Sequence, residues 1–349
     1  MKRLSEIGRI GTLLVLSLFL FVTAPAHAAD RPVMVGYFPA FKGLDARLAT
    51  TPIDHYTHIN IAFANPDASG MMLKDDVMTC MSGGAAGAVT LAELRNAVTR
   101  LKARGAKVLL SVAGGVIPGC SGDWAALLGD KRRDTVRAEL LAIVAAADLD
   151  GIDIDIEGEL LTAIDRQGNY TPFIASLSKA LRAKGKLLTV ATASYEGGMI
   201  PVSSVRYFDL VMPMSYDAIG LSWGTPGTEH ATYAMAERDI ALWLARGVKR
   251  ERLVLGVPFY GYGFGAHAPG GGFGDLLAAH GDAVMTADVI GRACAGCDYV
   301  TLNSPATIKR KSELARSRAG GVMVWEITQD TGDQLLGRTI AGALYGTPN

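Results

Sequence analysis

The stretch DGIDIDIEGE, at 150–159, constrains this chain more than any other. Isoleucine and carboxylate alternate through Ile152, Asp153, Ile154, Asp155, Ile156 and Glu157. Successive side chains of a β-strand point to opposite faces, so three isoleucines would line one face and three acids the other. Such a strand needs an apolar layer on one side and, on the other, a place where carboxyls about 6 to 7 Å apart are useful. A solvated edge strand could carry the acids, but it would leave the isoleucine face without a role in the middle of a long series of strands. Calcium or magnesium could use the oxygens, but ligands spread along one strand need partners from elsewhere.

The rest of the chain supplies the series. Short β-rich apolar runs occur at 33–38, 58–64, 107–115, 151–157, 187–194, 208–217, 253–262 and 321–327. Helix-like segments such as LAELRNAVTRLKARG, DTVRAELLAIVAAADL and TPFIASLSKALRAKG separate them. Strand and helix in alternation argue for a parallel sheet covered by helices. Eight strands in a chain of 349 residues fit an α/β fold of the closed (β/α)8 TIM-barrel kind, in one domain. An open doubly wound sheet is the alternative, although no GxGxxG opens a helix after the first strand. The longest connection, 263–302, contains APGGGFGD and reads as an irregular loop. In a barrel, Ile152, Ile154 and Ile156 would face the helices, while Asp153, Asp155 and Glu157 would point inward. Glu157, the last of the three, would stand at the rim where barrel active sites sit, with Asp155 below it and Asp153 deeper. Crowding and burial both raise carboxyl pKa values, so at least one of the three should hold a proton near neutral pH. A protonated carboxyl in a cleft is what a glycosidic leaving group requires.

Lysine plus arginine equal aspartate plus glutamate at 34 each, so the charge gives no reason to expect a nucleic-acid partner. The first residues carry Lys2, Arg3 and Arg9, then an apolar run too short to span a bilayer, then Ala26-His27-Ala28. This is the pattern of a secretory signal peptide over 1–28, cleaved near Ala28, with 29–349 as the mature domain, free of the membrane and either periplasmic or extracellular. Export would let Cys80, Cys120, Cys294 and Cys297 form disulfides. Four cysteines allow three pairings, and neighbourhood favours Cys80 with Cys120 and Cys294 with Cys297. CAGC has neither the setting of a redox pair nor a second CxxC to complete a zinc site, so a structural disulfide is expected there.

Asp150, Asp153, Asp155 and Glu157 also form a complete DxxDxDxE, and by that signature the chain resembles glycoside hydrolase family 18, the chitinases and their relatives. VGYFPAF and THINIAFA resemble that family's first two strands, and LLSVAGG resembles its SxGG third strand with one residue extra. MSYD at Met214–Asp217 is similar to its MxYD, and GGVMVWEITQD to its eighth strand. The resemblance implies a retaining mechanism in which the acetamido oxygen of the substrate is the nucleophile. It makes Glu157 the acid and base, and Asp155 the residue that orients the acetamido group. Asp153 would share a proton with Asp155, and Tyr216 would donate to the acetamido oxygen. Asp217 and Met214 would line the sugar pocket, Trp325 would floor it, and Tyr37 would be a further contact. It implies chitin or another N-acetylglucosamine-containing glycan as partner; no metal or other cofactor is expected, and a barrel of this size can work as a monomer. Peptidoglycan and N-glycan cores are alternative substrates, and a catalytically silent lectin is a non-enzymatic alternative. Trp223 is a weaker sugar-contact candidate, and His230 reads as surface. The connection between the seventh and eighth strands is short for members that insert a small α+β domain there, so no such wall and a shallower groove are expected. PFYGYGF carries tyrosine where relatives often have arginine or another polar residue.

Overall fold

In the computed structural model, residues 31–129 and 132–346 are described; the expected signal segment, 1–28, lies outside them. Eight parallel strands form the centre: β1 (Val33–Pro39), β2 (His58–Ala64), β3 (Lys107–Ala113), β4 (Gly151–Asp155), β5 (Leu187–Thr192), β6 (Leu210–Pro213), β7 (Val254–Pro258) and β8 (Gly321–Trp325). Their order is β7-β8-β1-β2-β3-β4-β5-β6, and a parallel bridge between Val211 and Leu253 brings β6 back to β7. The sheet is thus a nearly closed barrel, and all eight strands fall where the sequence runs predict them.

Helices lie between the strands, with starts written in the sequence. Leu91–Ala103 begins with a capping box in which Thr90 accepts from the backbone of Glu93 and the Glu93 carboxylate accepts in return. Pro305–Arg318 has Ser304 as its cap and proline in the first turn. Ile152, Ile154 and Ile156 are buried in the layer between strands and helices, together with Leu140 and Phe173 from neighbouring helices. Val35, Tyr37, Met212, Val254 and Met323 form a second, smaller apolar cluster.

Two excursions leave the barrel at the carboxyl ends of strands. Between β2 and β3 run short antiparallel strands, Leu73–Lys74, Val77–Ser82 and Ala88–Thr90. Between β7 and β8 the expected irregular loop at 263–302 is corrected. It belongs to a small antiparallel sheet of Gly270–Gly272, Tyr260–Phe264, Tyr299–Thr301 and Val289–Gly291, in that spatial order. The helices Phe273–His280 and Asp282–Thr286 complete this unit, so a small α+β insertion stands where the short connection led to none being expected. The run at 253–262 accordingly divides: the parallel strand stops at Pro258 and the antiparallel one starts at Tyr260. Strands of three to five residues broken by glycine carry too little periodicity to be recognised. Both favoured disulfides are present, Cys80–Cys120 and Cys294–Cys297. Among the described residues no helix is long and apolar enough to cross a membrane.

Candidate active site

Asp153 lies deepest on the acidic face of β4 and is fully buried. The parallel register sets Ser111 of β3 and Thr189 of β5 beside it. Ser111 and Tyr37 hydroxyls each donate to Oδ2 at 2.7 Å, and Thr189 donates to Oδ1 at 2.5 Å. Burial pushes the Asp153 carboxyl above its ordinary range, and the three hydroxyls oppose that shift without cancelling it. Tyr37 therefore holds Asp153 as well as lining the cleft.

Two residues on, Asp155 is also buried, but its Oδ1 has no hydrogen-bond partner. Burial, then the charges of Glu157 and Asp153, drive its carboxyl well above the usual range. Glu157 occupies the N-cap position of the helix Gly158–Arg166 without capping it through its side chain. A helix N-terminus favours a carboxylate, yet burial and the Asp217 charge win and push Glu157 up to about 7. The two glycines of SVAGG make room beside it. Gly114 has φ +95°, and a Cβ there would meet the Phe63 ring at 2.7 Å. A Cβ at Gly115 would sit 2.9 Å from Glu157 Oε1. Side chains at either position would crowd the acid or the wall opposite it.

The loop after β6 brings Met214, Tyr216 and Asp217 to the same cleft. Burial, followed by the charges of Asp155, Asp217, Glu157 and Asp153, holds the Tyr216 phenol far above its ordinary value, so it remains a proton donor. Asp217 has a left-handed backbone, φ +63°. It accepts a short hydrogen bond from Tyr260 OH, and the Trp223 indole donates to its carbonyl at 3.0 Å. Tyr260 is the first tyrosine of PFYGYGF, and its hydroxyl ties that segment to the acidic cluster. His230 is corrected from surface to fully buried. Its ring packs against Tyr260 and Tyr262, with Nδ1 3.7 Å from Asp217 Oδ1, and burial pushes the imidazole pKa down. Its place beneath the small antiparallel sheet explains the burial, since His230 N donates to Thr301 Oγ1.

Trp325, at the end of β8, stacks on Phe63 at 5.5 Å and meets Tyr37 edge-on at 5.4 Å. Next to it, Glu326 is buried and paired with Lys42, which ties the end of β8 to the loop after β1. The Ala62–Phe63 and Trp325–Glu326 peptide bonds are cis, which nothing in the sequence signals. Together these groups enclose a cleft of about 640 Å³ lined by Asp155, Glu157, Met214, Tyr216, Asp217 and Trp325. Every predicted site residue reaches this cleft except Asp153, which lies beneath it. The sequence reading missed Phe63, Phe41, Val116 and the Cys80–Cys120 bridge as wall elements. Phe63, inside THINIAFA, carried the one usable signal: an aromatic at the carboxyl end of a barrel strand. Trp223 also lines the cleft.

The glycosyl hydrolases family 18 model matches residues 33–330. "Probable chitinase 10" of Drosophila melanogaster is 27% identical over 294 residues, covering 67% of this chain. This chain spans only 12% of that protein's length. Among solved structures, a GH18 chitinase, ChiB, from the chitin utilization locus of Flavobacterium johnsoniae is 28% identical with a TM-score of 0.75, covering 90% of this chain and 94% of that one. A GH18 chitinase of Cycas revoluta, solved with (GlcNAc)3, shares the fold at 20% identity and a TM-score of 0.72, covering 89% of this chain and 99% of that one. An acidic ladder that climbs one barrel strand to the rim, and a family match over nearly all the described residues, lead to one assignment: the chain belongs to glycosyl hydrolases family 18.

Proposed function

We propose that the protein hydrolyses β-1,4 linkages in N-acetylglucosamine polymers, chitin foremost, with retention of configuration and with the substrate's own acetamido oxygen as nucleophile. The observation that carries this reading is a contrast between neighbours in one cleft. Glu157 is a carboxyl held up to about 7, and Asp155 beside it has a buried oxygen with no partner. A carboxyl protonated near neutral pH can give its proton to the leaving oxygen and recover one from water in the second step. An unpartnered buried acceptor is costly alone and is relieved by a donor such as an acetamido N–H. Asp155 would thereby turn the acetamido oxygen toward the anomeric carbon and offset the positive charge that develops on ring closure. Tyr216 would donate to that oxygen, and the Trp325 indole would carry the sugar ring. Asp153, held by three hydroxyls, would keep the proton shared along the ladder from leaving it. Asp217 and Met214 would bound the same subsite. Relatives described as chitinases, and the bound (GlcNAc)3 of the Cycas protein, support the substrate class.

The mechanism is tested by comparing a fully N-acetylated oligomer with the same oligomer bearing free amines throughout. Only the acetylated one carries the internal nucleophile, and equal rates would overturn substrate assistance. Two disulfides and the apolar amino-terminal segment support a site of action outside the cytoplasm, with cleavage near Ala28. Mass spectrometry of the exported protein checks that placement.

A further inference from the structure

The segment that carries Tyr216 is anchored from outside the barrel. β6 ends at Pro213, so residues 214–217 lie beyond the strand, and Asp217 has a left-handed backbone. Met214 N donates to Thr192 O at 2.8 Å, and Ser215 N donates to Pro213 O at 3.0 Å. The Tyr216 phenol does not fix its own direction: among the described residues its hydroxyl meets only the Met323 thioether, at 3.8 Å. Its ring lies over Gly256 of β7, where a Cβ would come within 3.1 Å of it. What aims the hydroxyl is therefore the backbone that carries it.

Ser215, between Met214 and Tyr216, turns away from the cleft and is fully buried. Its hydroxyl donates to Asp239 Oδ2 at 2.7 Å. Asp239 sits in the middle of the helix Tyr233–Ala245, also fully buried. One turn further along that helix, the Trp243 indole donates at 3.1 Å to the hydroxyl of Ser194, just past β5. One helix face thus holds the ends of two barrel strands. Asp239 Oδ1 has no hydrogen-bond partner among the described residues, and the charged group beside it is Arg238, whose Nε is 3.5 Å away. Burial raises the Asp239 carboxyl, and the Ser215 hydroxyl opposes that shift. A buried carboxylate with an incomplete set of partners weakens a fold relative to an apolar side chain of similar size. Packing alone does not call for one here; a fixed acceptor for the Ser215 hydroxyl does.

We propose that Asp239 is a positioning residue for the reaction, holding the backbone at Ser215 so that the Tyr216 hydroxyl is aimed at the acetamido oxygen. Asp239 does not itself line the cleft. This inference rests on the hydrolase reading above.

The test is a double-mutant cycle in the full chain, built from Asp239→Ala, Tyr216→Phe and the two together, with kcat and KM read on soluble chitin hexamer. A slightly misplaced group costs rate more than binding, so Asp239→Ala should lower kcat by about tenfold with KM within about twofold. In the Tyr216→Phe background the same change should lower kcat by less than about twofold, because the hydroxyl it aims is gone. Asp239→Asn keeps an acceptor for Ser215 and should stay within about threefold of the unaltered kcat. A purely structural role would cost both backgrounds alike. Wild-type kcat in folded Asp239→Ala, or an equal loss in both backgrounds, overturns the proposal. Where Asp239→Ala does not fold, Ser215→Ala removes a single oxygen and carries the cycle with the same expected outcomes. A second readout stands apart from activity: NMR of protein with ring-labelled tyrosine, the Tyr216 signal being assigned by its loss in Tyr216→Phe. Asp239→Ala should shift or broaden that signal, and a signal left unmoved overturns the anchor. A wild type that leaves hexamer intact strikes the hydrolase reading, while the tyrosine signal still decides whether Asp239 holds Tyr216 in place.

Discussion

Two carboxyls of one acidic ladder, Asp153 on β4 and Glu157 just past its end, receive opposite treatment from the fold. Asp153 is sealed under the cleft and supplied with three hydroxyl donors. Glu157 stands at the rim, its charge opposed by burial and by Asp217. Between them Asp155 keeps one oxygen unpartnered. The lower end of the ladder is satisfied and the upper end is left short of partners. A buried polar group with complete hydrogen bonds contributes to structure, whereas an incomplete one is available to a ligand. On the proposed mechanism, changes at the rim should act first on turnover, whereas loss of a donor at the floor should act first on stability.

The largest expected effect is that of Glu157→Gln, which keeps the shape and removes the transferable proton. It should lower kcat by about 10²-fold or more while calorimetric binding of the hexamer persists. For the unaltered enzyme, the rate should fall as pH rises through about 7, the value to which Glu157 is pushed. A plateau continuing well above that pH would remove Glu157 as the acid. Tyr216→Phe takes away one donor and should cost about tenfold to a hundredfold in kcat, with little change in KM. A rise in KM alone would make Tyr216 a simple binding contact.

At the floor, Thr189→Val removes one of Asp153's donors. It should destabilise the fold by about 1 to 3 kcal/mol in denaturant titration. Loss of turnover without loss of stability there would erase the contrast between the two ends. The smallest effect concerns stability against pH. Glu157 binds its proton more tightly folded than unfolded, so its ionisation costs stability as pH rises from the unfolded value toward about 7. Glu157→Gln should thus stabilise the protein at pH 8 by an amount on the order of 1 kcal/mol, and the gain should vanish near pH 4. Thermal melts at both pH values check it, and a gain that persists in acid would contradict the raised Glu157 pKa.

The barrel was legible because each of its strands is a dense apolar run next to an amphipathic helix. The acidic ladder was legible because period two is unambiguous in DGIDIDIE. The unit between β7 and β8 was not, since YGYGF and GGG have strand geometry only through pairing with residues far along the chain. His230 was misplaced for the same reason: the sheet that covers it cannot be recognised from sequence. Ser111 and Thr189 give no local sign of facing Asp153, because parallel register is set by the whole barrel. The unpartnered Asp155 oxygen is likewise a property of what surrounds the strand.

On the proposed mechanism this cleft cleaves an N-acetylglucosamine polymer with retention of configuration. Proton NMR of the purified protein with chitin hexamer, recorded before products mutarotate, tests it most directly. The new reducing ends should appear first as the β-anomer. Early α-anomer, or an intact hexamer in the presence of folded protein, would contradict it.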